Sequence, residues 1–109
     1  MEFDIQVYQT TKGKRPFSEW LESLRDEKGR IKVRLRLDRL VLGNFGDCKH
    51  VDGHVHELRI DFGPGYRVFF GKVGKTCVLL LTGGNKRTQS KDIKMAIQYF
   101  ADYSARRDD

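Results

Sequence analysis

Beyond Cys48 the chain is cut at short intervals by glycine-bearing turn signals: Asp52-Gly53, Gly63-Pro64-Gly65, Gly74-Lys75 and Gly83-Gly84-Asn85. Glycine supplies the positive φ that tight turns demand, so the short segments between these signals read as strands joined to their neighbours. Asp52-Gly53 lies between Lys49-His50-Val51 and His54-Val55-His56 and predicts a type I′ hairpin with His50 beside Val55. Residues 55–61 follow as a strand, with Leu58 and Ile60 on one face and Val55, Glu57 and Arg59 on the other. Tyr66 to Lys72 gives the next strand. Thr76 to Thr82, built around Val78-Leu79-Leu80-Leu81, reads as a strand central in the sheet, ended by Gly83-Gly84-Asn85.

The first half follows other periods. Phe3, Ile5 and Val7 alternate with polar neighbours, which predicts a strand over 3–8. Pro16 suits the first turn of a helix, and Phe17, Trp20, Leu21 and Leu24 form one apolar helical face that Asp26 to Gly29 breaks. Residues 31–42 carry two patterns. Ile31, Val33, Leu35 and Leu37 alternate with Lys32, Arg34 and Arg36, as in a strand. On a helical wheel the same segment has two apolar sides, Ile31, Leu35 and Leu42 against Val33, Leu37 and Leu40, with Lys32, Arg36 and Arg39 as a basic stripe between them. Alternation fails after Asp38, which favours a helix sandwiched between a neighbouring helix and a sheet. Ser90 is expected to cap a last helix, with Asp92 in its first turn and Ile93, Ala96, Ile97 and Phe100 on its apolar face. The order β-α-α-β-β-β-β-α predicts an α+β fold: an antiparallel sheet with two N-terminal helices and one C-terminal helix packed on it. One domain over residues 1–104 and a frayed polar tail at 105–109 complete the expectation.

Composition narrows the classes. With 39% hydrophobic residues among 109, the chain has enough apolar material for one modest core and too much for a disordered segment. The longest apolar run, Val78 to Leu81, is far below a membrane span, and MEFDIQVYQT has no signal-peptide pattern. Cys48 and Cys77 follow no Cys-x-x-Cys spacing and read as reduced thiols of a cytoplasmic protein. Lys and Arg number 21 against 15 Asp and Glu, a net charge of +6. Residues 1–11 carry −2, residues 12–49 carry +5 and residues 50–109 carry +3. Such an excess suits a polyanionic partner, because each neutralised phosphate releases counterions. Composition alone favours a solubilising surface, and an acidic protein partner would fit as well.

Three constellations bear on chemistry. His54 and His56, two apart, would share a strand face as ligands or as an acid/base pair, but no third strong metal ligand accompanies them. Gly74-Lys75-Thr76 resembles the end of a P-loop, yet Phe69 stands where that pattern needs glycine. Most informative are the cations: Arg59 and Arg67 on strands joined by the Gly63-Pro64-Gly65 turn, and Lys86 and Arg87 just past the last strand. Lys49 joins them from the neighbouring hairpin. Cations so gathered can hold a phosphodiester and stabilise a pentacoordinate transition state. The sequence has no Asp/Glu cluster suited to two metals, so the expected chemistry is metal-independent cleavage of RNA with the 2′-OH as internal nucleophile.

Taken in order, Gly46-Asp47, Glu57-Leu58-Arg59-Ile60, Gly63-Pro64-Gly65-Tyr66-Arg67-Val68, Gly83-Gly84-Asn85-Lys86, Gln89, Asp92-Ile93 and Ala96 resemble the RelE/ParE superfamily of bacterial toxin–antitoxin modules. Pro16-Phe17, Trp20-Leu21 and Leu24 extend the resemblance to the addiction-module killer, or HigB-like, branch over about residues 3 to 100. The resemblance implies a RelE-like fold and an endoribonuclease that cuts mRNA on the ribosome without metal or cofactor. It also implies a cognate antitoxin, in this branch usually a helix-turn-helix DNA-binding protein. By the same resemblance Arg67 contacts the scissile phosphate, Arg59, Lys86 and Arg87 stabilise the transition state, and Lys49 and Gln89 bind RNA. The region where RelE has a catalytic tyrosine here reads Asp92-Ile93, with no tyrosine before Tyr99, leaving Asp92, His54 or His56 as substitutes. Lys32, Arg36 and Arg39 would meet ribosomal RNA or an acidic antitoxin segment. The alternative within the superfamily is a ParE-like toxin that poisons DNA gyrase and cuts no RNA.

Overall fold

The computed structural model describes residues 2–107. Strand β1 (Asp4–Val7) leads into helices α1 (Pro16–Ser23) and α2 (Glu27–Val41). Strands β2 (Cys48–Asp52), β3 (Val55–Ile60), β4 (Tyr66–Val73) and β5 (Cys77–Asn85) come next, and a 3₁₀ turn (Lys86–Thr88) runs into helix α3 (Gln89–Arg107). The sheet order is β1-β5-β4-β3-β2. The fold is thus α+β, with helices from both ends of the chain flanking one five-stranded sheet. The antiparallel expectation holds for β2 to β5, but β1 pairs parallel with β5. The two-helix excursion between β1 and the β2–β5 meander carries the chain across the sheet, which is what permits a parallel neighbour. β4 is the middle strand, and β5 is, as expected, an interior strand, paired with β4 on one side and β1 on the other.

Side chains alternate through the sheet and make two cores. Leu58, Ile60, Tyr66, Val68, Phe70, Val78 and Leu80 pack against Phe17 and Leu21 of α1 and Val33 and Leu40 of α2. On the opposite face Val55, Phe69, Leu79 and Leu81 pack with Tyr8 and with Ala96 of α3. With both faces covered, β4 and β5 are apolar on successive residues, as strands in a three-layer arrangement must be.

Several local expectations shift. α2 starts at Glu27, because Asp26 accepts from the Gly29 amide at 3.0 Å as its N-cap and also accepts from the Tyr66 hydroxyl at 2.9 Å. A Cβ on Gly29 would sit 2.6 Å from the Tyr66 ring, so the glycine is what lets α2 close on the start of β4. Of α2's two apolar sides Val33, Leu37 and Leu40 meet the sheet, whereas Ile31, Leu35 and Leu42 stay 49%, 48% and 67% exposed. The β2–β3 register shifts between His50 and Asp52, and the turn falls on Gly53-His54. Gly53 takes a positive φ (52°) and His54 does not, which is not the type I′ arrangement, where both central residues are positive. His50 therefore pairs with His56, not Val55.

β5 continues through Gly83-Gly84 to Asn85. Asn85 caps the 3₁₀ turn, its Oδ1 accepting from the amides of Arg87 and Thr88, so Ser90 lies inside the helix instead of capping it. α3 continues to Arg107, into the segment expected to fray; Asp108 and Asp109 lie outside the described residues. Among the described residues no helix is long and apolar enough to cross a membrane.

Candidate functional site

Arg59 of β3 and Arg67 of β4 are register partners, and Arg67 in turn pairs with Gly84 of β5. Residues opposite one another across strands share a face, so these positions form a row on the α3 side of the sheet. Asp47 extends the row, its carbonyl accepting from the Arg59 amide at 2.9 Å. β5 carries an extra residue at Leu81, since Phe69 pairs with Thr82 while Phe70 pairs with Leu80. The bulge turns Gly83 toward α1 and Gly84 toward α3. A Cβ on Gly83 would lie 2.1 Å from the Trp20 ring, and one on Gly84 would lie 1.8 Å from Asp92 Oδ2. Both glycines are clearances that seat helices on the strand, and through Asn85 they fix where Lys86 emerges.

The result is a cleft of ≈ 370 Å³ lined by Asp47, Arg59, Ile60, Asp61, Gly65, Arg67 and Lys86. Gly65, at φ 80°, brings the β3–β4 turn close: a Cβ there would touch Arg67 Nη1 and Lys86 Cβ at 3.4 Å. The two arginines are held differently. Arg59 Nε and Nη2 reach one oxygen of Asp47 at 3.1 and 2.8 Å, with both side chains substantially exposed. Arg67 is only 12% exposed. Its Nη1 donates to the carbonyls of Gly65 and Tyr66 at 3.2 and 3.4 Å, and its Nε faces Glu57 Oε1 at 3.4 Å. Glu57 is 1% exposed, and the Gln89 amide donates to the same oxygen.

Arg59, Arg67 and Lys86 thus converge. The other expected residues do not line the cleft. Lys49 pairs with Glu57 on the same sheet face, one row away and exposed. Arg87 is exposed on the 3₁₀ turn, and Gln89 is engaged with Glu57. Asp92 is buried beneath β5, its Oδ2 accepting from the Thr88 hydroxyl; burial raises its pKa from the ordinary carboxylate value, against the smaller opposing effects of Thr88 and Lys91. The histidines part company. His54 lies in the turn, 5.8 Å from the Phe100 ring of α3, whereas His56 stacks on Phe70 at 5.4 Å on the opposite face. Burial, with Lys72 and the neighbouring imidazoles adding to it, pushes His56 down to about 4. Strand alternation from His56 to Arg59 is odd, so His56 cannot share the arginines' face. Tyr99 stacks on Tyr8 away from the cleft.

The α2 stripe divides as well. Arg36 donates to the carbonyls of Arg59, Phe45 (3.1 Å) and Asp47 (3.3 Å), which ties both ends of the Asp47–Arg59 pair to α2. Lys32 and Arg39 border a smaller hollow of ≈ 180 Å³ with Leu35, Arg36 and Phe62; it shares Ile60 and Asp61 with the main cleft. Sequence reasoning gave no role to Asp47, Asp61 and Glu57. The signal for Glu57 was present, a carboxylate on the same strand face as Arg59. Among the described residues no three His, Cys, Asp or Glu side chains gather as a metal-holding group. The cleft lining thus carries three cations and two carboxylates, Asp47 and Asp61, with the buried Glu57 behind Arg67.

Over 80 residues the chain is 48% identical to an uncharacterized protein of Haemophilus influenzae, a match spanning 73% of this chain and 81% of that protein. No protein-family model matches the chain.

Proposed function

The chain belongs to one family with that Haemophilus influenzae protein, and from the cleft we propose that it is a RelE/ParE-superfamily toxin of a type II toxin–antitoxin module. In this reading it is a metal-independent endoribonuclease of the HigB-like branch that cuts mRNA on the ribosome. The observation that carries the proposal is the convergence of Arg59, Arg67 and Lys86 on one cleft, across two register-paired strands and the turn after a third. The mixed sheet, with two N-terminal helices on one face and a C-terminal helix on the other, supports a RelE-like fold.

The scissile phosphate sits against Arg67 Nη2, with Arg59 and Lys86 facing its other oxygens. The 2′-oxygen attacks phosphorus, and three cations stabilise the charge that builds on the equatorial oxygens. Asp61, a cleft carboxylate with no ion pair among the described residues, takes the 2′-hydroxyl proton. The bond from phosphorus to the 5′-oxygen breaks, and Lys86 supplies the proton to that leaving oxygen. The products are a 2′,3′-cyclic phosphate and a 5′-hydroxyl. A cognate antitoxin, of the helix-turn-helix DNA-binding kind, neutralises the toxin; the exposed Ile31, Leu35 and Leu42 of α2 support a protein partner there.

Induction of the wild-type chain in cells should generate new mRNA 5′ ends and arrest growth. The Arg67→Ala, Lys86→Ala double variant should accumulate without them. Intact transcripts together with inhibited gyrase supercoiling would overturn the nuclease in favour of a ParE-like poison.

A further inference from the structure

Glu57 is a fully buried carboxylate on the sheet face that α3 covers, and stability alone gives no reason for it. A buried ion must be paired and hydrogen-bonded to recover its desolvation cost, and an apolar residue of similar volume is often as stable or more so. Its two partners are Gln89, from the first turn of α3, and Arg67. The Arg67 contact is incomplete. At 3.4 Å its geometry is not that of a hydrogen bond, and Nε–H is buried with no acceptor. Nη1 is meanwhile engaged by the carbonyls of Gly65 and Tyr66, and among the described residues no hydrogen bond holds Nη2 either, although Nε at least keeps Glu57 as an ion-pair partner. The guanidinium is held on two sides and open on the third.

We propose that Glu57, oriented by Gln89, is a positioning residue for Arg67: it fixes the rotation of the guanidinium so that Nη2 faces the cleft. This rests on the reading of the cleft as an RNA-cleaving site, and it gives Glu57 and Gln89 a part in the chemistry that neither plays by touching substrate. An anion drawn to Nη2 settles the side chain, and the open Nε contact closes onto Glu57 as the site fills. Hydrogen bonds of this kind are commonly long in free enzymes and tighten when the ligand binds.

The test uses Glu57→Gln and Gln89→Ala, the second because Glu57→Gln alone could fail to fold. In the free wild-type protein the Arg67 Nε–H resonance, assigned by its loss in Arg67→Lys, should exchange with water more slowly than that of the exposed Arg59. In each variant Arg67 exchange should rise toward the Arg59 rate while the backbone amide spectrum is retained. Against mRNA in a translation reaction, each variant should lower kcat by about 10²-fold with KM nearly unchanged, as expected for misorientation of a bound group. Wild-type kcat in both folded variants, or a loss confined to KM, overturns the proposal. If the wild-type protein leaves mRNA intact, the nuclease reading fails by itself; the exchange rates then decide, unchanged exchange in both variants overturning the positioning role and accelerated exchange supporting it.

Discussion

Arg59 directs both Nε and Nη2 to a single oxygen of Asp47, in a pair whose side chains remain 41% and 54% exposed. In the proposed reading an incoming phosphate shares Arg59 with a carboxylate already in place. Exposed pairs of this kind are weak. Asp47→Ala should accordingly tighten binding of a short 2′-deoxy-substituted RNA only slightly, by about 1.4- to fivefold. Fluorescence anisotropy at two salt concentrations checks this: the variant should also show the steeper salt dependence, because one more cation is free to release counterions. The three converging cations were legible in the sequence, since alternation and a short turn are enough to put Arg59 and Arg67 side by side. Asp47 and Glu57 were visible as residues but not as partners. Pairing depends on register and on which helix covers the row, and neither is written locally. The histidines misled because the bulge before Asp52 moves the turn by one residue, which puts His54 in the turn and takes it out of the strand alternation it would have shared with His56.

The segment from the β5 bulge to the first turn of α3 joins the fold to the site. Gly83-Gly84-Asn85 reads as a strand end because those residues are common in turns. In the structure they continue the strand, and the two glycines' lack of a side chain is used for clearance from Trp20 and Asp92. Gly84→Ala should destabilise the protein by about 1–3 kcal/mol through overpacking. Since the nearest obstruction is Asp92 Oδ2 at 1.8 Å, the paired change Gly84→Ala, Asp92→Ala should recover part of that loss. Urea unfolding of the four members of this cycle is the measurement, and strictly additive losses would show that Asp92 is not what the Cβ meets. α2 illustrates the other limit of local reading. Its double apolar pattern was legible at once, but periodicity cannot say that only one side has a partner within the chain. Arg36 shows the same limit, since a position in a basic stripe looks like a surface charge until its guanidinium is seen bonded to three carbonyls.

Across the molecule, the net charge of +6 resolves into groups with different work. Arg36 secures the strands, Arg59, Arg67 and Lys86 face the cleft, and Lys32 and Arg39 border the adjoining hollow. The element order and the α+β class came from periodicity and turn chemistry. The parallel β1–β5 pairing did not, because it depends on how a two-helix excursion crosses the sheet. The central claim is that this cleft cuts RNA by attack of the neighbouring 2′-hydroxyl. It is tested most directly by adding the purified protein to a translation reaction, locating the cut, and determining the chemistry of the ends. A 2′,3′-cyclic phosphate and a 5′-hydroxyl at the cut, with cleavage lost when that site carries a 2′-deoxynucleotide, is the predicted result. Cleavage that persists at the deoxy site, or mRNA left intact by folded protein, would contradict it.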